Sequence, residues 1–300
     1  MHKLITKQFV LMLELLILFL FACGCGASET IRSQSIGLSG VGNARELGGY
    51  SGLNGKTVKH GVLLRTAALA NAASEDLARL QDVYHLAVVA DLRMTMEAQA
   101  APDPEIPGAK NLHLRIIDEQ AMQQTLAEAQ KEGLDLSNKL DLLKAAIKSG
   151  FISDQMYINF LSGKQGKESY GIMFQEILAL PEGKSLLFHC SQGKDRTGCA
   201  AMLILSALGV DEKTIMDDFQ LTNTFNAELI ESERKLLTEN GYSGEELNRL
   251  MKAMDEVDPQ YMTNALDWMK ENYGSVTGYI TQELGVTDEQ LETLRAKFLE

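Results

Sequence analysis

The stretch HCSQGKDRTG, residues 189–198, carries the residue types best able to do chemistry in this chain. It holds a thiol at Cys190, a carboxylate at Asp195, a guanidinium at Arg196 and a hydroxyl at Thr197. It begins where the apolar run LLF ends and leads into the long apolar segment CAAMLILSALGV. A buried strand that turns through a short polar loop into a buried helix makes an anion site. The helix N-terminus offers unpaired N–H groups and a positive dipole end. A cysteine at the mouth of that loop feels the same field, which favours the nucleophilic thiolate. Arg196 adds a planar fork that can hold two phosphoryl oxygens at once, which a lysine cannot do. Gly193 permits a turn that directs successive N–H groups inward, and Gly198 lets the helix start pack closely. Together these residues describe phosphoryl transfer without a metal. Cys190 attacks phosphorus, Arg196 and the loop N–H groups stabilise the equatorial oxygens, and water resolves a phosphocysteine. Thr197 can hydrogen-bond the sulfur and ease its departure.

Positioning such a loop requires a strand before it and a helix behind it. KSLLFHC supplies the strand, and the segment from Thr197 to Gly209 is a helix apolar nearly all round, hence buried. LAVVADLR (86–93) is β-branched and continuously apolar, as a buried parallel strand is. KHGVLLRTAAL (59–69) and NLHLRII (111–117) also predict strands, and NARELGGY contains a short one. SEDLARLQDVY (74–84) predicts a helix whose Glu75 and Asp76 suit its N-terminus. APDPEIPGAK (101–110), with three of the five prolines, must be loop. Helical patterns run from Asp118 to Ser149 with polar interruptions, then resume in SDQMYINFL and SYGIMFQEILALP. After Asp211 everything is helical. Strands alternating with helices, then a helical tail, predict an α/β fold with a mostly parallel central sheet. The segments at 120–165 and 212–257 are the expected lid or substrate-recognition elements.

The 300 residues suffice for one large domain or two small ones. Lys+Arg 28 against Asp+Glu 41 leaves a net charge of −13. That balance excludes a general nucleic-acid partner, which needs basic stripes, and no Lys/Arg run suits anionic lipid. An anionic substrate must therefore be drawn in by a local pocket. At the start, MHKLITKQ is basic and FVLMLELLILFLFA is apolar but short for a bilayer span, which predicts a signal peptide over 1–22. LFACGCG resembles a bacterial lipoprotein processing site, which makes Cys23 the lipidated first residue, with a plain secretory signal as the alternative. Residues 23–38 then form a flexible tether and 39–300 the catalytic domain. The expectation is a secreted protein held by lipid on the outer face of the cell membrane. Two of the four cysteines sit at the processing site, so no disulfide framework is expected. The five scattered histidines give no support for a metal.

HCSQGKDRTG resembles the HCxxGxxR[ST]G signature of the cysteine-based protein tyrosine phosphatases. Its GKDRTG form resembles the bacterial branch with tyrosine-specific, dual-specificity or phosphoinositide activity. NARELGGY resembles that branch's N-x-R-[DE]-L-G-G-Y motif, LLRTAAL its strand carrying Arg-Ser-Gly, and VVADLRMTMEA its Asp-Leu-Arg strand. DPQYMTNALDWMKENYGSVTGYITQELGVTDEQL resembles its C-terminal helices. The likeness runs from about Ser39 to the end, is weak from roughly 120 to 165, and has Ala67 where the family usually has glycine. It implies a tyrosine phosphatase-like fold without a cofactor, and Cys190, Arg196, Asp195 and Thr197 as the catalytic set. It also implies substrate contacts from His189, Ser191, Gln192, Gly193, Lys194 and Gly198. Protein phosphotyrosine is the implied substrate, with phosphoinositides as the alternative. An idle phosphopeptide-binding module is the reading from another class, and intact Cys190 and Arg196 argue against it.

No Trp-Pro-Asp occurs, and the single tryptophan, Trp268, lies in the tail. The resemblance therefore implies Asp195 as the general acid, with Asp118 and Asp91 as alternatives; a plain helix-capping role for Asp195 also stays open. His189 is expected to fix the loop and the thiolate by hydrogen bonding. Lys194 would stand at the pocket rim, where it recognises a second phosphate or offsets Asp195. Arg45, Arg65 and Arg93 sit in or near strands converging on this face, where each meets substrate or pairs with Glu46, Asp91 or Glu97. Pairing is favoured for Arg93. Cys199, one turn into the helix, reads as a packed apolar thiol.

Overall fold

The computed structural model describes residues 34–135 and 138–300. The expected signal segment, Cys23 and the tether up to residue 33 lie outside the described residues. The compact unit that carries the sheet runs from Ile36 to Glu300.

Five strands form one sheet: β1 (Arg45–Glu46), β2 (Leu63–Thr66), β3 (Leu86–Asp91), β4 (Lys110–His113) and β5 (Ser185–His189). Their order is β1-β2-β5-β3-β4, with β1 antiparallel to β2 and all other pairings parallel. Every residue of the central strand β5 is buried, which is why SLLFH shows no polar alternation. Its side chains still point alternately to the two faces. Leu63, Val88, Leu186 and Phe188 enter the larger core, while Leu64, Val89 and Leu187 enter a smaller one with Ile36 and Leu80. The strand expected over NLHLRII stops at His113. Beyond it Leu114, Ile116 and Ile117 all turn into the core, and Ser169 Oγ donates to the Arg115 carbonyl at 2.6 Å.

Thirteen helices accompany the sheet among the described residues. The first six are α1 (Ser74–Asp82), α2 (Thr95–Ala100), α3 (Glu119–Lys131), α4 (Lys139–Lys148), α5 (Met156–Ser162) and α6 (Lys164–Ala179). After β5 come α7 (Asp195–Ala207), α8 (Glu212–Phe225), α9 (Ala227–Glu239) and α10 (Gly244–Met254). The tail holds α11 (Pro259–Tyr273), α12 (Val276–Glu283) and α13 (Asp288–Phe298). None is long and apolar enough to cross a membrane. Within α1, the Asp76 carboxylate accepts the N–H groups of Ser39 (2.7 Å), Gly40 (2.8 Å) and Ala73 (3.0 Å). That carboxylate ties the chain entering the domain to the helix start. Leu143 of α4, Leu237 of α9 and Leu247, Leu250 and Met251 of α10 form a satellite apolar cluster of their own.

Register decides where the site lies. Thr66 and Asp91 both pair with His189, so β2, β3 and β5 end together. Their three following loops therefore meet at the carboxyl edge of a parallel sheet, the usual ligand crevice of such sheets.

Candidate active site

Cys190 follows β5 directly and is buried. The loop then turns at Gly193, whose φ is +65°; a Cβ there would also fall 2.5 Å from the Thr66 carbonyl oxygen. Both facts require glycine. Its own carbonyl accepts from Asn43 Nδ2 at 2.7 Å and from an Arg65 nitrogen at 2.9 Å, so the segment leading into β1 and strand β2 hold the loop in shape. Helix α7 starts immediately afterwards and is buried along almost its whole length, as its apolar sequence predicts. A Cβ on Gly198 would meet the Phe219 ring at 3.0 Å, so the close packing expected at that position is real.

Arg196 reaches into the site from the first turn of α7. Its fork is gripped by Glu97 of α2, through NH1 to Oε2 and NH2 to Oε1, the latter at 2.9 Å. Ser191 Oγ donates to the same carboxylate at 2.6 Å, and the Met94 N–H at 2.8 Å. Burial alone would push the Glu97 carboxyl up, but Arg196, Ser191 and the Met94 N–H overcome it and bring it to about 2. The carboxylate is therefore charged throughout the neutral and mildly acidic range, and the guanidinium stays oriented there. Glu97 was legible as a partner for a strand arginine; its actual partner is Arg196.

Arg45 and Arg65 do not pair with Glu46, Asp91 or Glu97. Both bind Asp218 of α8, which is fully enclosed: Arg45 Nε lies 3.1 Å from Oδ1, and Arg65 NH1 bonds Oδ2. Tyr50 Oη adds a bond to Oδ1 at 3.1 Å. Burial, and Arg45 after it, push Arg65 down to about 10. Burial raises the Asp218 carboxyl, and the two arginines more than reverse this, holding it below the usual carboxylate range. Its stabilisation is thus full above an unfolded value of ~3.9 and fades as pH falls through the folded value. Asp218→Asn should cost about 3–5 kcal/mol at neutral pH, because two buried cations lose their counter-charge. Urea denaturation measures it, and a loss below ~1 kcal/mol would remove Asp218 from this role.

The three candidate acids separate cleanly. Asp118 caps α3, accepting the Gln120 and Ala121 N–H groups at 2.9 and 3.2 Å. Asp91 is bound on both oxygens by Arg93, at 2.8 Å each, as the pairing expected for Arg93 requires. Asp195 remains at the loop, partly exposed, with Oδ1 accepting from the buried Tyr157 hydroxyl at 2.7 Å. Asp91, Asp103 and His189 place three potential metal-ligand atoms within 4.8 Å of one another. Arg93 already binds both carboxylates, however, so a cation stands where an ion would.

Several expectations are corrected. His189 Nδ1 faces the Cys190 carbonyl at 3.2 Å and Nε2 lies 3.1 Å from Asp103 Oδ2 without hydrogen-bond alignment; the ring braces the backbone rather than the sulfur. Thr197 Oγ1 is buried and has no hydrogen-bond partner among the described residues. Lys194 does not stand at a rim. It is 2% exposed, and Nζ donates to the carbonyls of Lys252, Met254 and Glu256 at 3.2, 3.1 and 3.1 Å; it does offset Asp195, whose Oδ2 lies 3.7 Å away. A cation at the end of α10 suits the negative end of that helix dipole. Gln192 Nε2 bonds Asp255 beside it. The expected recognition segment at 212–257 is therefore hung on the loop by two of the loop's own side chains. Cys199 is fully buried, and burial raises its thiol well above the usual range, consistent with a packed apolar role.

A family model described as tyrosine phosphatase family matches residues 36–300. The chain belongs to the tyrosine phosphatase family. This phosphatase is 30% identical over 259 residues, 84% of each chain, to a Cupriavidus necator protein provisionally designated a tyrosine-protein phosphatase. It is 26% identical to a tyrosine-protein phosphatase of Nostoc commune over 62% of this chain and 65% of that one. It is also similar to the triple specificity protein phosphatase PtpB of Mycobacterium tuberculosis, 23% identical over 75% of this chain and 89% of the relative. The α/β fold with its central sheet is the expected one, and the enzyme is a phosphatase.

Proposed function

We propose that this phosphatase hydrolyses phosphotyrosine in proteins through a phosphocysteine on Cys190. The observation that carries the reading is the arrangement of one loop between β5 and α7. Cys190 opens it, and the first turn of α7 adds an Arg196 fork gripped by Glu97 and an Asp195 carboxyl held by Tyr157. The Cys190 thiolate attacks phosphorus, and the bond from phosphorus to the tyrosyl oxygen breaks as Asp195 gives that oxygen a proton. Arg196 and the loop N–H groups hold the three equatorial oxygens throughout. Asp195, now a carboxylate, takes a proton from water as its oxygen attacks phosphorus, and the thiolate leaves. Phosphate departs and the protonated acid is restored.

Phosphate release from a phosphotyrosyl peptide and from phosphoinositide vesicles, with EDTA present, tests the substrate. Faster release from the peptide is expected; faster release from the vesicles would move the reading to lipid.

The acid assignment has its own test. Asp195→Asn should lower kcat by ~10²-fold for the phosphotyrosyl peptide, whose leaving group needs a proton, and far less for p-nitrophenyl phosphate, whose leaving group does not. Tyr157→Phe should reproduce about a tenfold part of that difference, since it removes the bond that aims Asp195. Equal losses on both substrates would mark Tyr157 as a packing residue only.

A further inference from the structure

One buried carboxylate reaches the catalytic loop by two routes. Asp218 of α8 bonds Arg65, and a second Arg65 nitrogen donates to the Gly193 carbonyl at 2.9 Å. Asp218 also accepts from Arg45 Nε at 3.1 Å, and Arg45 donates onward to Asn43 Oδ1. Asn43 Nδ2 then donates to the same Gly193 carbonyl at 2.7 Å. Asn43, Arg45, Arg65 and Asp218 are all buried. The rest of the Arg45 fork is bound by the Asp218 carbonyl at 3.0 Å and Thr222 Oγ1 at 3.3 Å, with the Phe225 ring 5.2 Å away. Both routes thus end on one carbonyl oxygen of the loop.

That oxygen matters through the other half of its peptide unit. In a planar trans peptide the C=O and the following N–H point in opposite directions. With its carbonyl held by Asn43 and Arg65, the Gly193–Lys194 peptide turns the Lys194 N–H away from those two residues. Gly193 has no side chain to resist rotation of this peptide, and its φ of +65° is one that glycine adopts freely. A flip would withdraw the N–H and set a carbonyl oxygen in its place. Facing an anion, that is the reverse of what an oxyanion site requires. The two donors on the carbonyl oppose the flip.

We propose that Asp218 is a positioning residue for phosphoryl transfer: through Arg65, and through Arg45 with Asn43, it fixes the Gly193–Lys194 peptide so that the Lys194 N–H donates to a phosphoryl oxygen. The proposal rests on the reading of the Cys190–Arg196 loop as the phosphoryl site and deepens it. Asp218 touches neither substrate nor sulfur in this role; it acts only through the carbonyl that its two arms restrain.

The test uses tungstate, a tetrahedral oxyanion, as the probe. Its Kd is measured by calorimetry, and kcat with p-nitrophenyl phosphate, in the full chain and in three variants. Asp218→Asn removes a negative charge, so electrostatics alone would tighten tungstate binding. The positioning role predicts the opposite sign: binding weaker by about tenfold and kcat lower by about 30-fold, part of the cost of one lost oxyanion donor. Asn43→Gly keeps both ion pairs of Asp218 and suits the backbone there, whose φ is +53°. It should weaken tungstate by about fivefold, the effect of one lost hydrogen bond. Tyr50→Phe removes a bond to Asp218 that belongs to neither route, and should change both readings by less than about twofold. Tighter or unchanged tungstate binding in Asp218→Asn, with kcat unchanged, would overturn the proposal and leave Asp218 an ion-pair residue only. If that variant does not fold, Asn43→Gly decides by the same criterion. Losses in Tyr50→Phe equal to those in Asn43→Gly would also overturn it, by showing general loosening. Tungstate that fails to compete with substrate in the unaltered enzyme would overturn the reading of the loop, and the positioning role with it.

Discussion

Cys190→Ser is expected to lower phosphate release by ~10⁴-fold or more while phosphopeptide binding persists. A serine hydroxyl is a poor nucleophile unless a base takes its proton. The neighbouring histidine does not serve: His189 directs one nitrogen at the Cys190 carbonyl and the other toward Asp103. Thr197 Oγ1, buried nearby, is a hydroxyl and no base. Serine is also smaller than cysteine, so the loop and the Arg196–Glu97 grip should survive. Binding measured by calorimetry should therefore stay near that of the unaltered enzyme. Retention of activity within tenfold would place the nucleophile elsewhere.

Arg196→Lys should lower kcat/KM by ~10³-fold, despite conserving charge. The guanidinium has to do two things at once. It meets both Glu97 oxygens, which fixes its plane, and in the proposed reaction its remaining donors would hold the phosphoryl oxygens. A lysine ammonium is a point charge on a flexible stem, with neither a plane nor a fork. The variant would also leave the Glu97 carboxylate partly unpaired beside an anionic substrate, adding repulsion. Circular dichroism and urea denaturation should show the fold retained. A loss below ~10-fold would mean that the loop N–H groups alone stabilise the reacting oxygens.

The catalytic loop was legible because its frame is local. A strand and a helix each built round a continuous apolar run can only lie in the interior, and they pin the polar loop between them at the sheet edge. The residues that support it were less visible, because tertiary packing chooses between near-identical candidates. Asp217 and Asp218 are adjacent, yet Asp217 pairs with exposed Lys213 while Asp218 anchors two arginines. The signal was present in helical phase: Ile215, Asp218, Phe219 and Thr222 form one buried stripe, so Asp218 sits where an apolar residue belongs. Lys194 carried no comparable signal. Its position in the loop suggests an anion, whereas a helix end nearly sixty residues further along the chain covers it with carbonyls.

The central claim is covalent, and the most direct measurement is to catch the intermediate. The enzyme is mixed with a ³²P-labelled phosphotyrosyl peptide, quenched within milliseconds in denaturant under conditions that preserve thiophosphate esters, and digested for peptide mapping. The account predicts label on the peptide containing Cys190, forming before free phosphate and absent in Cys190→Ser. Free phosphate appearing with no labelled protein at any time, or label on another residue, would contradict it.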